Sequence, residues 1–258
     1  MINETLDIKQ VTTPSGLTRF WTHTTRRFSQ NTSFLLDIGA ASGRFLFFIK
    51  DSFTKILGLE VSAPSLAFAQ SAMHLPVVNT LTPQDVTAVS CVTAWHTLEH
   101  IPATDIATLL SMLRSEASQD CVYILSVPNG SSLWGFFLMK HFSFYDVREH
   151  LHQFSYRSLE LLLKQHHLSI KQCIPALPYS SFNAVQSILN VITGTHNYLY
   201  YYLKRSQTVD APPTKLRTCA HLALAGCIIP LAAPIILFEL LCPRYAAALT
   251  VICSHEHH

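Results

Sequence analysis

Asp37, Gly39, Gly43 and Glu60 have the types and spacing to hold a small charged ligand. They stand in LLDIGAASGR (35–44) and GLEVSAPS (58–65). Glycines let backbone N–H groups approach a ligand, and a helix starting just after them adds partial positive charge. A dinucleotide site wants G-x-G-x-x-G. Here the frame reads Gly39-Ala40-Ala41-Ser42-Gly43-Arg44, so the second glycine is Ala41 and the third an arginine. Pyrophosphate binding is thereby disfavoured. Asp37 suits a ligand with a free α-amino group instead, since a carboxylate can fix the turn's amides or attract an ammonium directly or through water. The plainer alternative is a turn acid that only holds the next helix. Glu60, seventeen positions after Gly43, is placed to accept both hydroxyls of a ribose.

These residues need a parallel sheet to carry them. FLLDI (34–38), KILGLE (55–60), LPVVN (75–79), AVSCVTAW (88–95) and CVYILSV (121–127) read as strands. Residues 42–51, 65–73 and 104–118 between them read as helices, the last with Thr104 as its cap. LSIKQCI (168–174) and AAALTVIC (246–253) add two strands. Near-continuous apolar strands alternating with helices predict a doubly wound, mostly parallel seven-stranded α/β sheet. The expected organisation is an N-terminal helical cap (1–30), a ligand-binding core (31–175), an apolar helical insertion before the last strand (176–245), and the last strand with its tail (246–258).

The composition leans apolar, at 49% apolar and 13% charged residues, against a usual charged share of about 25%. Mean hydropathy is +0.25, which leaves apolar surface to be covered by lipid or a partner. A net charge of +2 without a Lys/Arg run gives no case for nucleic acid. Seven cysteines with no CxxC read as reduced, buried thiols of a cytosolic protein. The polar start MINETLDIKQVTTPSG does not read as a signal peptide. Residues 219–241 carry no charge until Glu239. Pro230 and Pro234 interrupt the run, so it predicts two short helices dipping into one leaflet of a membrane. The alternative is a hairpin buried in the globule or at a dimer interface.

The chain resembles the class I S-adenosylmethionine-dependent methyltransferases, in particular the group containing the ubiquinone-biosynthesis O-methyltransferases. The resemblance rests on LLDIGAASGRF, GLEVSAPSLAFA, AWHTLEHIP, VPNG and REHLHQFSYRSLELLL, and covers roughly 30–175 and the last strand. It implies S-adenosylmethionine as cofactor. Asp37, Gly39, Ala40, Ala41 and Gly43 would surround its methionine part, Glu60 its ribose, and Trp95, His96 and Thr97 its sulfonium. Two positions depart from the family: Ser90-Cys91 replaces Phe-Asp at the start of the fourth strand, and Asn79-Thr80 offers no acid for the adenine, Asp85 being the nearest.

Oxygen methylation needs a base near neutral pH, for which histidine is suited. Of 14 histidines, His150 and His100 fall where the resemblance places the mouth of the active site; holding a loop is their plainer reading. His166 and His167 read as helix surface. Glu99, His96 and His100 lack a supporting ligand set, so no metal is expected. SSLWGFFLMKHFSFY (131–145) reads as a long aromatic loop, either packed on the sheet edge or forming an apolar lid. The expected function is methylation, on oxygen, of a small hydrophobic or lipid-like acceptor at the inner face of a membrane, contacted through 219–241. The alternative is a non-catalytic, membrane-anchored scaffold of the same fold.

Overall fold

A computed structural model describes residues 7–145, 149–204 and 214–256. Most of the expected N-terminal cap is therefore in view, whereas residues 1–6 and the last two histidines of the tail lie outside the described residues. Seven strands form one sheet: β1 (Phe34–Ile38), β2 (Lys55–Leu59), β3 (Val77–Val78), β4 (Cys91–Trp95), β5 (Val122–Pro128), β6 (Leu168–Ile174) and β7 (Ala248–His255), in the order β3-β2-β1-β4-β5-β7-β6. The β3-β2, β2-β1, β1-β4 and β4-β5 pairs are parallel, and β6-β7 is antiparallel with a register shift between Ile170 and Gln172. Tyr123 bonds His255 and Ser126 bonds Thr250, so residue numbers rise on β5 as they fall on β7. Strand β7 thus runs against both neighbours.

The helices are α1 (Ile8–Thr12), α2 (Gly16–Phe28), α3 (Arg44–Ile49), α4 (Ala63–Ser71), α5 (Pro83–Val86), α6 (Ala103–Glu116), α7 (Leu133–Leu138), α8 (Tyr156–Gln165), α9 (Leu177–Thr193), α10 (Tyr198–Lys204) and α11 (Lys215–Leu241). Two compact units share the chain. The core unit takes residues 6–127, 156–174 and 250–258; the second takes 128–155 and 175–249. The second unit therefore includes a stretch expected in the core, because residues 128–155 pack with the insertion. In the core unit, Leu35, Leu46, Ile49 and Cys91 are fully buried, and Phe20, Trp21 and Phe28 of α2 pack on the same cluster.

Several expectations change. Residues 131–145 are not a loop: they hold α7 and a 3-10 turn over Met139–His141. The apolar run is not two helices either. Helix α11 is continuous through Pro230 and Pro234. Both prolines stand on its exposed side, while Thr218, His221, Ala225, Ile228 and Ala232 are buried at alternating three- and four-residue steps. Continuous packing on one side overrides the two lost backbone bonds on the other. Cys219 and Cys227 are exposed on the same helix, unlike the buried thiols expected. Pro102, not Thr104, stands at the cap of α6. His166 and His167 lie in the turn beyond α8 rather than on it, and His167 has φ +57°.

Candidate functional site

Strand β1 carries Asp37 near its carboxyl end, where it pairs in register with Gly58 of β2 and Thr93 of β4. Thr93 donates its hydroxyl to Asp37 Oδ1 at 2.7 Å. Asp37 is 2% exposed. Burial pushes its carboxyl up from 3.8 to about 7, the Thr93 bond opposes that rise, and the charge of Glu60 adds to it.

The turn after β1 is tied to the end of β2. Gly39 and Ala40 donate their N–H groups to the Leu59 carbonyl at 2.8 and 2.9 Å. Ala41 donates to Glu60 Oε2 and Ser62 to Glu60 Oε1, both at 2.7 Å. Gly43 N–H closes the turn on Ala40 O, and Gly43 caps α3 with φ +79°. Three consecutive amides are thus committed within the protein, which is not a phosphate cradle. Each Glu60 oxygen accepts one backbone N–H and keeps a second lone pair. A vicinal diol can use those two lone pairs.

Gly39 has φ +76°, and a Cβ there would collide with the Thr97 side chain. The turns after β1 and β4 approach so closely that only hydrogen fits between them. This narrow, charged edge fits the S-adenosylmethionine expected from the sequence: a buried carboxyl beside the glycine turn for an ammonium, and Glu60 for a ribose.

Beyond β4, His96 sits in the left-handed region at φ +54°. It donates its N–H to Ser126 O and faces Glu99 with Nδ1 3.4 Å from Oε1. Strain of this kind concentrates at functional turns. The Trp95 ring lies inside the core unit, stacked on Trp21 at 5.7 Å and edge-on to Phe45 and Phe20. His100 is exposed at the end of a short 3-10 turn, Leu98–His100. His150 belongs to the second unit, partly buried in the stretch before α8.

Thr93 is a site residue that sequence reasoning did not single out, whereas Thr97, expected at the sulfonium, also stands against the Gly39 turn. Thr93 had a signal, a polar side chain in a strand buried on both faces, where it needs a partner. The aromatic support from Phe20 and Trp21 left no signal beyond the apolar face of α2. Asp85 closes the capping box of α5, its Oδ2 accepting from both Thr82 N–H and Thr82 Oγ1. Ser90 and Cys91 serve the scaffold. Ser90 Oγ accepts from Phe34 N–H, and Ser29 Oγ donates to Cys91 Sγ, both at the far end of β4 from the turn.

Residues 15–172, well over half of the chain, match the family described as a methyltransferase domain. This chain belongs to that family. A search of curated proteins by sequence finds no match. Among solved structures, this methyltransferase-domain chain is similar to the mycolic acid cyclopropane synthase CmaA1 complexed with SAH and CTAB, with a TM-score of 0.58 at 13% identity over 92% of this chain and 82% of that one. The cyclopropane synthase MmaA2 from Mycobacterium tuberculosis gives 0.55 at 13% identity, over 92% and 82% of the two chains. Geranyl diphosphate C-methyltransferase from Streptomyces coelicolor A3(2) gives 0.53 at 13% identity, over 93% and 80%. At these identities the likeness establishes the methyltransferase fold, with its seven-stranded sheet and the helices before its last strand.

Proposed function

We propose that this methyltransferase acts on an oxygen of a small hydrophobic or lipid-like acceptor at the inner face of a membrane. The methyl donor is S-adenosylmethionine, which when bound supplies an electrophilic methyl on a sulfonium. The observation that carries the reading is the Asp37–turn–Glu60 edge, where one carboxyl is buried beside the glycine turn and the other holds the turn in place. Asp37 takes the donor's ammonium, Glu60 its ribose hydroxyls, and the strained turn at His96 lies beside the reacting end. Such a transfer needs alignment and exclusion of water more than covalent help. Proton removal from the acceptor is assigned to His100 and His150.

An apolar acceptor is supported by a cavity of about 440 Å³ within the second unit, lined among others by Phe137, Leu138, Phe142 and Tyr145 with Lys140 and His141 at its polar side. That volume lies in the range of small-molecule sites, roughly 300–1,000 Å³. Membrane contact is supported by α11, apolar enough to cross a bilayer, of which only 17% of the most apolar stretch is buried.

Calorimetry with S-adenosylhomocysteine tests the first step. Glu60→Ala frees the Ala41 and Ser62 amides and removes the diol acceptor, so binding should weaken by at least about tenfold, the effect of losing roughly 1.5–3 kcal/mol from a charge-assisted hydrogen bond. Unchanged binding refutes the site. Turnover is read by mass spectrometry of lipid extracts from cells with and without the protein, looking for a species heavier by one CH₂. Binding without any such product selects the non-catalytic scaffold. His100→Gln and His150→Gln should each keep S-adenosylhomocysteine affinity; the one that carries the base loses turnover most at low pH. If neither changes turnover, another group takes the proton.

A further inference from the structure

Helices α9 and α11 of the second unit bury polar side chains beside apolar ones, and α11 leaves an apolar face outside. Residues 172–203 contain no Asp, Glu, Lys or Arg, and neither do residues 218–238. Yet much of the buried side of α9 is polar: Ser180, Asn183, Gln186, Ser187 and Asn190 are all at most 1% exposed, beside buried Tyr179, Ala184 and Leu189. These side chains bond one another and the chain around them, leaving Asn183 Nδ2 without a partner among the described residues. Asn183 accepts from Ser143 and Ser187, and Gln186 donates to Asn190 at 2.8 Å. Asn190 donates to His141 O and accepts from Asn197 N–H, while Gln186 Oε1 accepts from Tyr200 N–H. On α11, Thr218, His221 and Glu239 also face inward, with Glu239 accepting from Ala247 N–H.

The outer side of α11 is apolar instead, and α9 exposes only Leu177, Val191 and Ile192 at its ends. Leu216 is 83% exposed, Leu231 75%, Leu241 73%, and Ile229 and Ile192 both 56%. Exposed apolar surface of this extent along one helix marks an interaction site. Helices in hydrocarbon show this arrangement, because polar groups there must be satisfied inside the protein and lipid tails solvate the outside. Prolines within such helices are tolerated for the same reason.

We infer that α11, backed from inside by α9, forms an integral, one-sided membrane anchor whose occupant is the acyl-chain layer of a single leaflet. This replaces the expected pair of short helices in one leaflet by a single continuous helix backed by α9, and does not depend on methyl transfer. Charge decides between insertion and crossing. Helix α11 is about 40 Å long at 1.5 Å per residue, but the chain leaves the sheet at Ile174 and returns to it at Ala248. A crossing pair would carry its connecting end to the far side, with Lys215 and Arg217. Basic residues stay on the cytoplasmic side. Lying in the leaflet leaves Lys215, which is exposed, at anionic headgroups. Arg217 is held by Thr195 Oγ1 and lies over the Tyr198 ring at 4.6 Å, an amphipathic grouping suited to the interfacial layer.

The test uses the full chain in isolated, sealed membranes. The protein should stay in the pellet through high-salt and alkaline carbonate washes and leave only with detergent. Cys219 and Cys227, both exposed on α11, should resist a membrane-impermeant maleimide applied to either face until detergent is added. Ile229→Glu with Leu231→Glu should move the protein to the carbonate supernatant while S-adenosylhomocysteine binding is retained. Release of the unaltered protein by carbonate overturns the inference, and a released dimer would identify a second copy as the cover. Labelling of either cysteine in intact vesicles overturns it as well. Loss of cofactor binding in the unaltered protein would instead refute the proposed function and leave the anchor standing.

Discussion

Asp37→Asn should make the protein more stable at neutral pH and a poorer binder of its cofactor, two changes of opposite sign from one atom. The folded carboxyl titrates near 7 rather than 3.8, so the folded state keeps a proton that the unfolded chain has already released. Stability from this group is complete below about pH 4, falls as pH rises to about 7, and is flat above. Three pKa units correspond to about 4 kcal/mol. Asparagine abolishes that slope. Its oxygen can still accept from Thr93, but its amide brings donors that need partners at a cost of about 1–3 kcal/mol, leaving a smaller net gain. The ligand's ammonium favours the ionised carboxylate. Binding by the unaltered protein should therefore release a proton near pH 7, and its affinity should rise up to about tenfold per unit between pH 6 and 7. Titration in buffers of differing ionisation enthalpy measures the proton directly, and thermal melts from pH 4 to 8 measure the slope. A pH-independent affinity would mean that Asp37 only ties β1 to β4.

Why the sheet was legible is physical. Strands buried on both faces read as apolar runs, and β1 falls where FLLDI begins and ends; β6, at the sheet's edge with Lys171 and Gln172 exposed, still falls on LSIKQCI. β3 has two residues, too few for any period to show, and was overextended as LPVVN. Other misjudged elements were decided by tertiary packing. Helix α11 runs through two prolines because its other side is packed without a break, and nothing local says so. LWGFFL forms α7 around Trp134, which joins the second unit's own apolar cluster. The candidate site divides in the same way. Its two carboxyls could be placed by spacing from the glycines, since strand ends fix them. Thr93 and Thr97 come from register and from the approach of two turns, which depend on which strands are neighbours. Asp85 looked free because a capping box and a ligand-binding acid are both a carboxyl shortly after a strand; only the closed ring with Thr82 separates them.

That closeness of the two turns leads to the other large effect. Gly39→Ala asks the chain for a Cβ where Thr97 already stands, and asks an L-residue to hold φ +76°. The conformational part costs about 1–2 kcal/mol, and forcing two packed turns apart adds about 1–3 kcal/mol. Gly39 and Ala40 share the Leu59 carbonyl, so displacing the turn also pulls Ala41 from Glu60. S-adenosylhomocysteine binding should fall below detection while the sheet still folds, as circular dichroism and chemical denaturation would report. Thr97→Ala alone removes Oγ1 and Cγ2 but leaves Cβ, which would lie 2.9 Å from the new methyl. The double variant should therefore regain part of the stability lost by Gly39→Ala, with a coupling energy of about 0.5–3 kcal/mol, as for residues in direct contact. It should not regain the conformational part, which belongs to φ alone. Strict additivity of the two substitutions would mean that the turns do not touch, and that Gly39 is required only for its backbone angle.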